Sequence, residues 1–568
     1  MIEAQKKISE YCGTLTEKVM EAALTGGIAE KIKAIAGDAH ERQLVVPVVG
    51  GFSAGKSSMI NSLLGENILP VAITPETSLA TELHYSSKSF IEAVKDNGEV
   101  DKYEVEEIVK VKDNAAKYKY ARLYLNNSRL REIEPLVLVD MPGFDSPLEA
   151  HNKAIMEYLD RGCFYIVLSS VEEGTITKSL ERRIREIEGY GREFAFFLSK
   201  ANLRPKENVD ELIAYFQNQI NTNFECSTKV APIENNSGDK VLQCLKNIDK
   251  NRVFSNIYKN GMLDVCDDIV TAINLQINAS KKDANSIRAA IKEMEDSIEK
   301  LRKKAVSDQD DMRRRYSGSL INEVIADVGK ALDNSLDELA SLAASGNQEG
   351  IKNTLNDIVR SALSVAIKEK LEGINKEIVI DFSESIKGLD VVMKELNLDE
   401  NYMKDMTGKI QSTLSMFTQP GGKAALNVGF KAVAGAGLAA TVINPIIGIV
   451  VMLLPEIIGI LTKLFGGGDS KDRQKEAIRT KFSGEIFPSI KRKLREEIPA
   501  HLDEQINLMI KTAGEQIEEN IKKQSDVLNA QMAEKSTGIE EAEAKRQQLE
   551  NVLDGVKTIN SEILTWGK

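Results

Sequence analysis

Apolar residues recur at helical spacing in three separate parts of this chain. Near its start, Ile8, Cys12, Leu15 and Val19 follow one another at steps of four, three and four residues, so they share one face of a helix. An apolar stripe on a helix requires a partner that covers it. The same spacing returns in two later stretches: Ile287, Ile291, Met294, Ile298, Leu301 and Ala305, and then Leu549, Val552, Leu553, Val556, Ile559 and Ile563. The pattern therefore predicts a bundle in which N-terminal, central and C-terminal helices lie together; a plain helical domain without a mechanical role is the alternative.

Short apolar runs separate the first of these helical regions from the others. They are residues 44–49, 135–140, 163–169 and 193–198, and each has the length of a buried strand. With helical stretches between them, these runs predict an α/β domain over residues 44–250. Residues 1–43, 251–420 and 469–568 would form an all-α region, with a separate apolar segment at 421–468.

The first strand leads into a glycine-rich turn, Gly50-Gly51-Phe52-Ser53-Ala54-Gly55-Lys56-Ser57, and then into a helical stretch. This is the context of a phosphate-binding loop, in which successive backbone N–H groups point at phosphate oxygens. Lys56 can neutralise the β- and γ-phosphates, and the Ser57 hydroxyl is placed to bind Mg²⁺. The helix N-terminus adds a favourable dipole for an anion. The sequence thus predicts a nucleotide site that includes Gly50, Ser53, Ala54, Gly55, Lys56, Ser57 and Ser58.

Two further motifs follow the loop in the order found in GTPases. One strand ends in Asp140-Met141-Pro142-Gly143, and a later one ends in Ser199-Lys200-Ala201-Asn202. Asp140 can hold the hydration shell of Mg²⁺, and Gly143 leaves its N–H free to contact the γ-phosphate. Taken alone, Asp140 is also compatible with an ordinary turn at a strand end. Its position after a phosphate-binding loop favours the metal role.

Together these motifs resemble the GTPase domain of the dynamin superfamily, in its bacterial branch and there the LeoA type. The resemblance rests on Gly50–Ser58, Ile60–Gly65, Leu69-Pro70 and Pro75-Glu76-Thr77, and it covers about residues 44–239. It implies a Ras-like P-loop GTPase domain joined to a long helical bundle, the neck and trunk, that ends in a hydrophobic membrane-binding tip. It also implies GTP as substrate, Mg²⁺ as cofactor, and self-association through the GTPase domain or with other dynamin-like chains.

The same resemblance assigns roles to single residues. Ser53 and Lys56 belong to the catalytic loop. Thr77 is the switch threonine that closes on Mg²⁺ and the attacking water, with Thr74 as the alternative. The metal set is then Ser57, Thr77 and Asp140. Lys200 and Asn202 contact the base, and Asn235, Asn236 and Ser237 lie near it.

Two positions depart from the pattern of the family. Phe52 stands where eukaryotic dynamins carry a catalytic glutamine, and a phenyl ring cannot orient water. Hydrolysis must then depend on Thr77, on backbone groups or on a partner chain. Asn202 stands where an aspartate usually reads the base. A carboxylate accepts two hydrogen bonds from guanine, whereas an amide offers one carbonyl acceptor. Guanine selectivity is therefore weakened, unless a neighbouring group reads the base instead.

One segment differs in chemistry from the rest of the chain. Residues 432–455 include no charged side chain, and the apolar character continues to Phe465 with only Glu456 and Lys463 as interruptions. This length exceeds the ~20 residues that span a bilayer once, and Asn444-Pro445 lies inside it. We predict a helical hairpin that enters a membrane, with a helix pair buried in the bundle as the alternative. The predicted membrane contacts are Ile446, Ile449, Val450, Leu453 and Leu454.

Composition excludes several other classes of protein. The net charge is −12, which argues against nucleic-acid binding. Four His and five Cys show no metal-ligand spacing and no disulfide pattern. The first residues have no apolar stretch of a signal peptide, so we expect a cytoplasmic chain that is peripheral at the membrane. A dynamin-like GTPase that remodels membranes is the leading prediction. A nucleotide-gated pore and a soluble switch whose apolar segment binds a protein are the alternatives.

Overall fold

The computed structural model describes most of the chain. The described residues are 1–24, 27–51, 53–71, 79–143, 158, 161–189, 192–224, 228–234, 237–307, 309–395, 397–399, 401–415, 417, 453, 455, 457–460, 471–534 and 539–566. Several of the predicted site residues lie outside these ranges: Phe52, Thr74, Thr77, Asn235, Asn236, Ile446, Ile449, Val450 and Leu454.

An α/β domain follows two N-terminal helices, α1 (Glu3–Glu21) and α2 (Ile28–Glu41). Its described strands are β1 (Leu44–Gly50), β2 (Thr81–Tyr85), β3 (Phe90–Val94), β4 (Val100–Tyr103), β5 (Tyr120–Leu125), β6 (Leu136–Asp140), β7 (Phe164–Ser170), β8 (Glu193–Ser199) and β9 (Val230–Pro232). Its described α-helices are α3 (Lys56–Leu64), α4 (Ile108–Asp113), α5 (Ser128–Ile133), α6 (Lys178–Gly189), α7 (Lys206–Asn223) and α8 (Gly238–Asn247).

The described strands form one sheet in the order β4-β3-β5-β2-β6-β1-β7-β8-β9. From β6 to β9 all neighbours are parallel, and every residue of β1 is buried, as is typical of a sheet that is covered on both faces. The carboxyl ends of β1, β6, β7 and β8 therefore meet at one edge. This edge brings the phosphate loop, Asp140 and the Ser199-Lys200 segment together, although the chain separates them by many residues.

The second region is helical. Its described helices are α9 (Lys250–Ser280), α10 (Ala284–Ser307), α11 (Gln309–Asn334), α12 (Leu336–Ala344), α13 (Gln348–Ser385), α14 (Lys387–Glu395), α15 (Tyr402–Ser415), α16 (Lys471–Lys481), α17 (Phe487–Glu534) and α18 (Ile539–Leu564). A π-helical turn, Phe482–Ile486, joins α16 to α17. The predicted combination of an α/β domain and a long helical bundle is confirmed.

Two apolar cores hold the molecule together. One joins α1, α2, α18 and the first part of α9 to one face of the sheet, and here Ile8 and Val556 are fully buried. The other joins the opposite face of the sheet to α10–α17. Helix α9 contributes side chains to both cores, for example Met262 to the first and Leu275 to the second. A single 31-residue helix therefore connects the two apolar cores.

Of the apolar segment 432–465, only residues 453, 455 and 457–460 lie in the described part of the chain. Leu453 and Ile457 are 8% and 3% exposed, and both belong to the core that includes α10–α17. Leu453 was predicted from the sequence to contact a membrane, whereas here its side chain packs inside the helical bundle. Within the described ranges, no helix combines the length and the apolar character that crossing a bilayer requires.

Candidate nucleotide-binding site

The turn after β1 is shaped by close backbone approaches. A Cβ atom on Gly50 would lie 2.6 Å from the carbonyl oxygen of Leu168 in β7, so only glycine fits between these strands. Gly55 has a φ of +86°, which a residue with a side chain adopts only with strain. Ser53 also has a positive φ, of 59°. Gly50 and Gly55 are thus required by the geometry of the turn.

Lys56 begins helix α3, and its ammonium folds back over the loop. Its Nζ donates hydrogen bonds to the carbonyl oxygens of Gly50 at 3.0 Å and Gly51 at 2.9 Å. The side chain is buried, so its charge lies in an environment that screens it weakly. A phosphate group in the loop would meet this charge directly.

Ser57 and Asp140 meet at the centre of the site. The Ser57 hydroxyl donates to Asp140 Oδ2 at 2.9 Å, across 83 positions of sequence. The pairing of β6 with β1, with Asp140 opposite Val48, sets this distance. Asp140 is 1% exposed, and its Oδ1 has no hydrogen-bond partner among the described residues. A buried carboxylate oxygen without a donor, beside a serine hydroxyl, suits the oxygen-rich hydration shell of Mg²⁺.

Other predicted residues surround this centre. The carbonyl oxygen of Ala54 accepts a hydrogen bond from the Ser199 hydroxyl at 2.7 Å, which ties the end of β8 to the phosphate loop. Ser58 lies half-buried in α3, and Gly143 is buried three residues after Asp140. The structure therefore places these residues around one point at the carboxyl edge of the sheet.

The predicted base-reading residues lie at the end of β8. Lys200 has a φ of 58°, and its ammonium pairs with Glu172, which lowers the pKa of that exposed carboxyl group. Asn202 is exposed in a short 3₁₀ turn, Ala201–Leu203. Ser237 lies just before α8, where its hydroxyl accepts a hydrogen bond from the Glu234 N–H at 2.9 Å. Asn202 is therefore accessible to a base, and Lys200 would exchange Glu172 for contact with it.

Sequence reasoning missed Lys112, which belongs to the site. Its Nζ lies 3.4 Å from Asp140 Oδ2, and the residue is 5% exposed. It projects from α4, which lies in the segment between β4 and β5. The local sequence, Lys110-Val111-Lys112-Asp113, reads as an ordinary charged helix surface, so no signal in it indicates that one lysine is buried.

A second missed group is Glu82 on β2, which lies next to the site because β2 pairs with β6. Its carboxylate accepts hydrogen bonds from Tyr158 and from Arg161, both at 2.7 Å, and lies 3.0 Å from His84 Nε2. Burial alone would raise the pKa of Glu82. The neighbours His84, Arg161 and Tyr158 outweigh burial and lower this pKa to about 2. The carboxylate is thus kept charged inside the domain.

The sequence of the domain that holds this site matches a known family. Residues 46–201 fit the model described as the Dynamin family. The chain carries a dynamin-family GTPase domain. This GTPase domain includes the phosphate loop, Asp140, and Lys200 with its neighbours at the end of β8.

Two relatives match the dynamin-like chain at low identity. A protein of Caldicellulosiruptor, named only as an uncharacterized protein in the xynA 3′ region, is 26% identical over 207 residues, which are 34% of this chain and 50% of that protein. Dynamin-like protein 2 of Campylobacter jejuni is 24% identical over 274 residues, which are 46% of this chain and 44% of that protein. The chain thus spans about half the length of these relatives.

Solved structures of bacterial dynamins also align with the whole chain. The LeoA bacterial dynamin GTPase from ETEC is 11% identical, with a TM-score of 0.32 and coverage of 99% of this chain and 98% of that chain. A chain of an oligomerised bacterial dynamin pair is 16% identical, with a TM-score of 0.33 and coverage of 98% and 95%.

Proposed function

We propose that this dynamin-like chain binds GTP with Mg²⁺ and hydrolyses it. The observation that carries the proposal is the contact between Ser57 and Asp140 at 2.9 Å, with the Lys56 ammonium over the same loop. Asp140 also has a buried oxygen that accepts no hydrogen bond from the described residues. Hydroxyl, carboxylate and lysine in this arrangement match the parts that phosphoryl transfer to water requires.

Each group has a separate task in this proposal. Ser57 and Asp140 hold Mg²⁺, which when bound neutralises charge on the β- and γ-phosphates. Lys56 leaves the carbonyl oxygens of Gly50 and Gly51 and contacts the phosphates instead. The N–H groups of the loop, including that of Ser53, bind the remaining phosphate oxygens. Gly143 approaches the γ-phosphate from the end of β6.

The position of the attacking water is the least conventional part of the proposal. Phe52 replaces the glutamine found in eukaryotic dynamins, so we assign the water to the hydroxyl of Thr77. Backbone groups or a second GTPase domain would complete the site. Self-association of the GTPase domains is therefore part of the proposal, and light scattering with a non-hydrolysable GTP analogue tests it. A chain that stays monomeric at every nucleotide state contradicts it.

The change Lys56→Ala tests the site. We expect GTP turnover to be abolished and triphosphate affinity to fall on the order of a hundredfold or more, because two charge-assisted hydrogen bonds are lost. The fold should survive, since Lys56 contacts the loop and not the apolar core. The matched control is Lys206→Ala, an exposed lysine at the start of α7, which should turn over GTP like the unchanged protein. Near-normal turnover in a folded Lys56→Ala protein contradicts the assignment.

We further propose that the apolar segment 432–465 contacts a membrane and that the GTP cycle alters how it is shielded. The charge-free composition of residues 432–455 supports this proposal. Flotation with lipid vesicles, with and without nucleotide, tests it. Binding in one nucleotide state and not in another is the expected result.

A second candidate is favoured by the packing of Leu453 and Ile457 inside the bundle. In this case the chain is a switch GTPase whose apolar segment is a core element or binds a protein. Vesicles would then float without the chain in every nucleotide state, while GTP binding remains intact.

A further inference from the structure

Lys112 is a cation that the fold places against the predicted magnesium ligand. Its helix, α4, has only six residues, and Ile108 and Val111 of the same helix are buried in the apolar core beneath it. These two anchors fix the direction of the Lys112 side chain. Its Nζ donates to Asp140 Oδ2 at 3.4 Å, and both residues are buried, with exposures of 5% and 1%.

Lys112 is unusual for a lysine because its ion pair is buried. A lysine ammonium is strongly hydrated, and its burial is unfavourable unless a charged partner compensates. Asp140 Oδ2 is the hydrogen-bond partner that the described residues supply. The same oxygen already accepts a hydrogen bond from Ser57, while Asp140 Oδ1 accepts none from the described part of the chain. The ammonium therefore lies beside the group that, under the proposed function, has to hold Mg²⁺.

We propose that Lys112 competes with Mg²⁺ for Asp140 and so sets the magnesium concentration at which the chain holds nucleotide tightly. The inference rests on the proposed function of the site. An ammonium and a divalent cation repel each other strongly at such distances in a buried environment. Tight binding of magnesium with nucleotide then requires Lys112 to leave Asp140, which moves or loosens α4. The segment between β4 and β5, which carries α4, thereby responds to the metal.

A purely structural role of the ion pair would have a different experimental result. If Lys112 only neutralises Asp140 for folding, its loss lowers stability and leaves the magnesium dependence of nucleotide binding unchanged. If Lys112 supports the metal site, for example by binding a phosphate beside it, its loss raises the magnesium requirement. Competition is the case in which loss of the lysine lowers the magnesium requirement.

The test uses the full chain and a fluorescent GDP analogue, titrated with Mg²⁺ from a chelated solution into the millimolar range. In Lys112→Met, which keeps the shape of the side chain without its charge, we expect the midpoint in Mg²⁺ to fall about tenfold or more. Lys112→Arg keeps a cation and should stay near the unchanged protein. The control is Lys110→Met on the same helix, because Lys110 is exposed and pairs with Glu107 at 3.0 Å.

An unchanged or higher midpoint in Lys112→Met overturns the competition. If the unchanged protein binds no GDP at any Mg²⁺ concentration, the proposed function fails as well, and the two failures are thereby distinguished.

A measurement on the unchanged protein covers the case in which Lys112→Met does not fold. At saturating GDP, acetylation of Lys112 is compared by mass spectrometry with Mg²⁺ and with chelator. Competition predicts faster acetylation when Mg²⁺ is present, because the ammonium has left the buried carboxylate. Equal or slower acetylation overturns the proposal.

Discussion

The GTPase domain and the helical region meet through a buried cluster of charges, which yields a quantitative prediction. Helix α6 of the GTPase domain supplies Arg182, Arg183 and Glu186, and helix α13 supplies Asp357 and Arg360. Asp357 receives hydrogen bonds from Arg182 Nε at 2.7 Å and from Arg183 at 3.4 Å, and it also pairs with Arg360. Across the contact, Asp357 pairs with Arg182 and Arg183, and Arg360 pairs with Glu186.

Because Asp357 is buried, its electrostatic attraction to the arginines is strong. Burial by itself would raise its pKa, but Arg360, Arg182 and Arg183 together hold the pKa below its ordinary value. The change Asp357→Asn keeps the shape of the side chain and removes the negative charge. Breaking a buried ion pair by removing one partner costs about 3–5 kcal/mol, because the other charges remain buried without compensation. At about 1.4 kcal/mol for each factor of ten, this corresponds to roughly a hundredfold to several thousandfold in the opening of the contact.

Hydrogen exchange measured by mass spectrometry detects this opening. We expect peptides that cover α6 and the part of α13 around Asp357 to exchange faster by that factor in Asp357→Asn, while the sheet keeps its protection. The control is Glu377→Gln, an equivalent change of an exposed carboxylate on the same helix, α13. If α6 in Asp357→Asn exchanges within a few-fold of the unchanged protein, the buried cluster does not hold the two regions together and the reasoning is wrong.

Three further predictions follow from other parts of the chain. If Asn202 reads the base, Asn202→Asp should increase the preference for GTP over ATP and XTP, since one bidentate base contact is worth ~1–3 kcal/mol. Competition binding measures this preference, and strong guanine selectivity that does not change with Asn202→Asp would contradict the role of Asn202. The double change Ile449→Glu with Leu453→Glu should abolish vesicle flotation and leave GTP binding intact, because each charge costs ~2.5–3.5 kcal/mol at bilayer depth. The control is Val391→Glu, at an exposed apolar position. An insoluble double mutant would place the segment in the bundle core, and persistent flotation would assign membrane binding to another part of the chain. Because its pKa is lowered, the Glu82 carboxylate stabilises the fold at and above pH ~4.5, and this stabilisation is lost as the pH falls toward 2. Glu82→Gln should therefore lower the free energy of unfolding by roughly 3 kcal/mol at neutral pH and make the acid unfolding curve flatter, and an unchanged acid transition would refute this.

The candidate site divides into residues that the sequence reveals and residues that it does not. The phosphate loop is read from contiguous residues because its function depends on a local turn, in which Gly55 must adopt a positive φ and Lys56 must begin a helix. Asp140 can be predicted because it directly follows the apolar residues of a buried strand in the sequence. Lys112 is not found, since its role depends on how the segment between β4 and β5 packs, and the residues next to Lys112 in the sequence give no sign of it.

The helical region shows the same division. The spacing of Ile8, Cys12, Leu15 and Val19 predicts both the helix and its buried face, and all four side chains are buried. The stripe does not say which helix covers it. In the structure α1 packs against its sequence neighbour α2 and against α9 and α18, which come from distant parts of the chain.

The sequence by itself determined the class of each region, because periodicity and turn chemistry act over a few residues: an α/β domain with a phosphate loop, and long helices with one apolar face. Only the tertiary structure decided how charges are paired. Asp357 with Arg182 and Arg183, Glu82 with Arg161, and Asp140 with Lys112 are each assembled from separate parts of the chain. A buried charge is stable only beside its partner, and the partner is chosen by the packing of whole helices and strands, which no local pattern encodes.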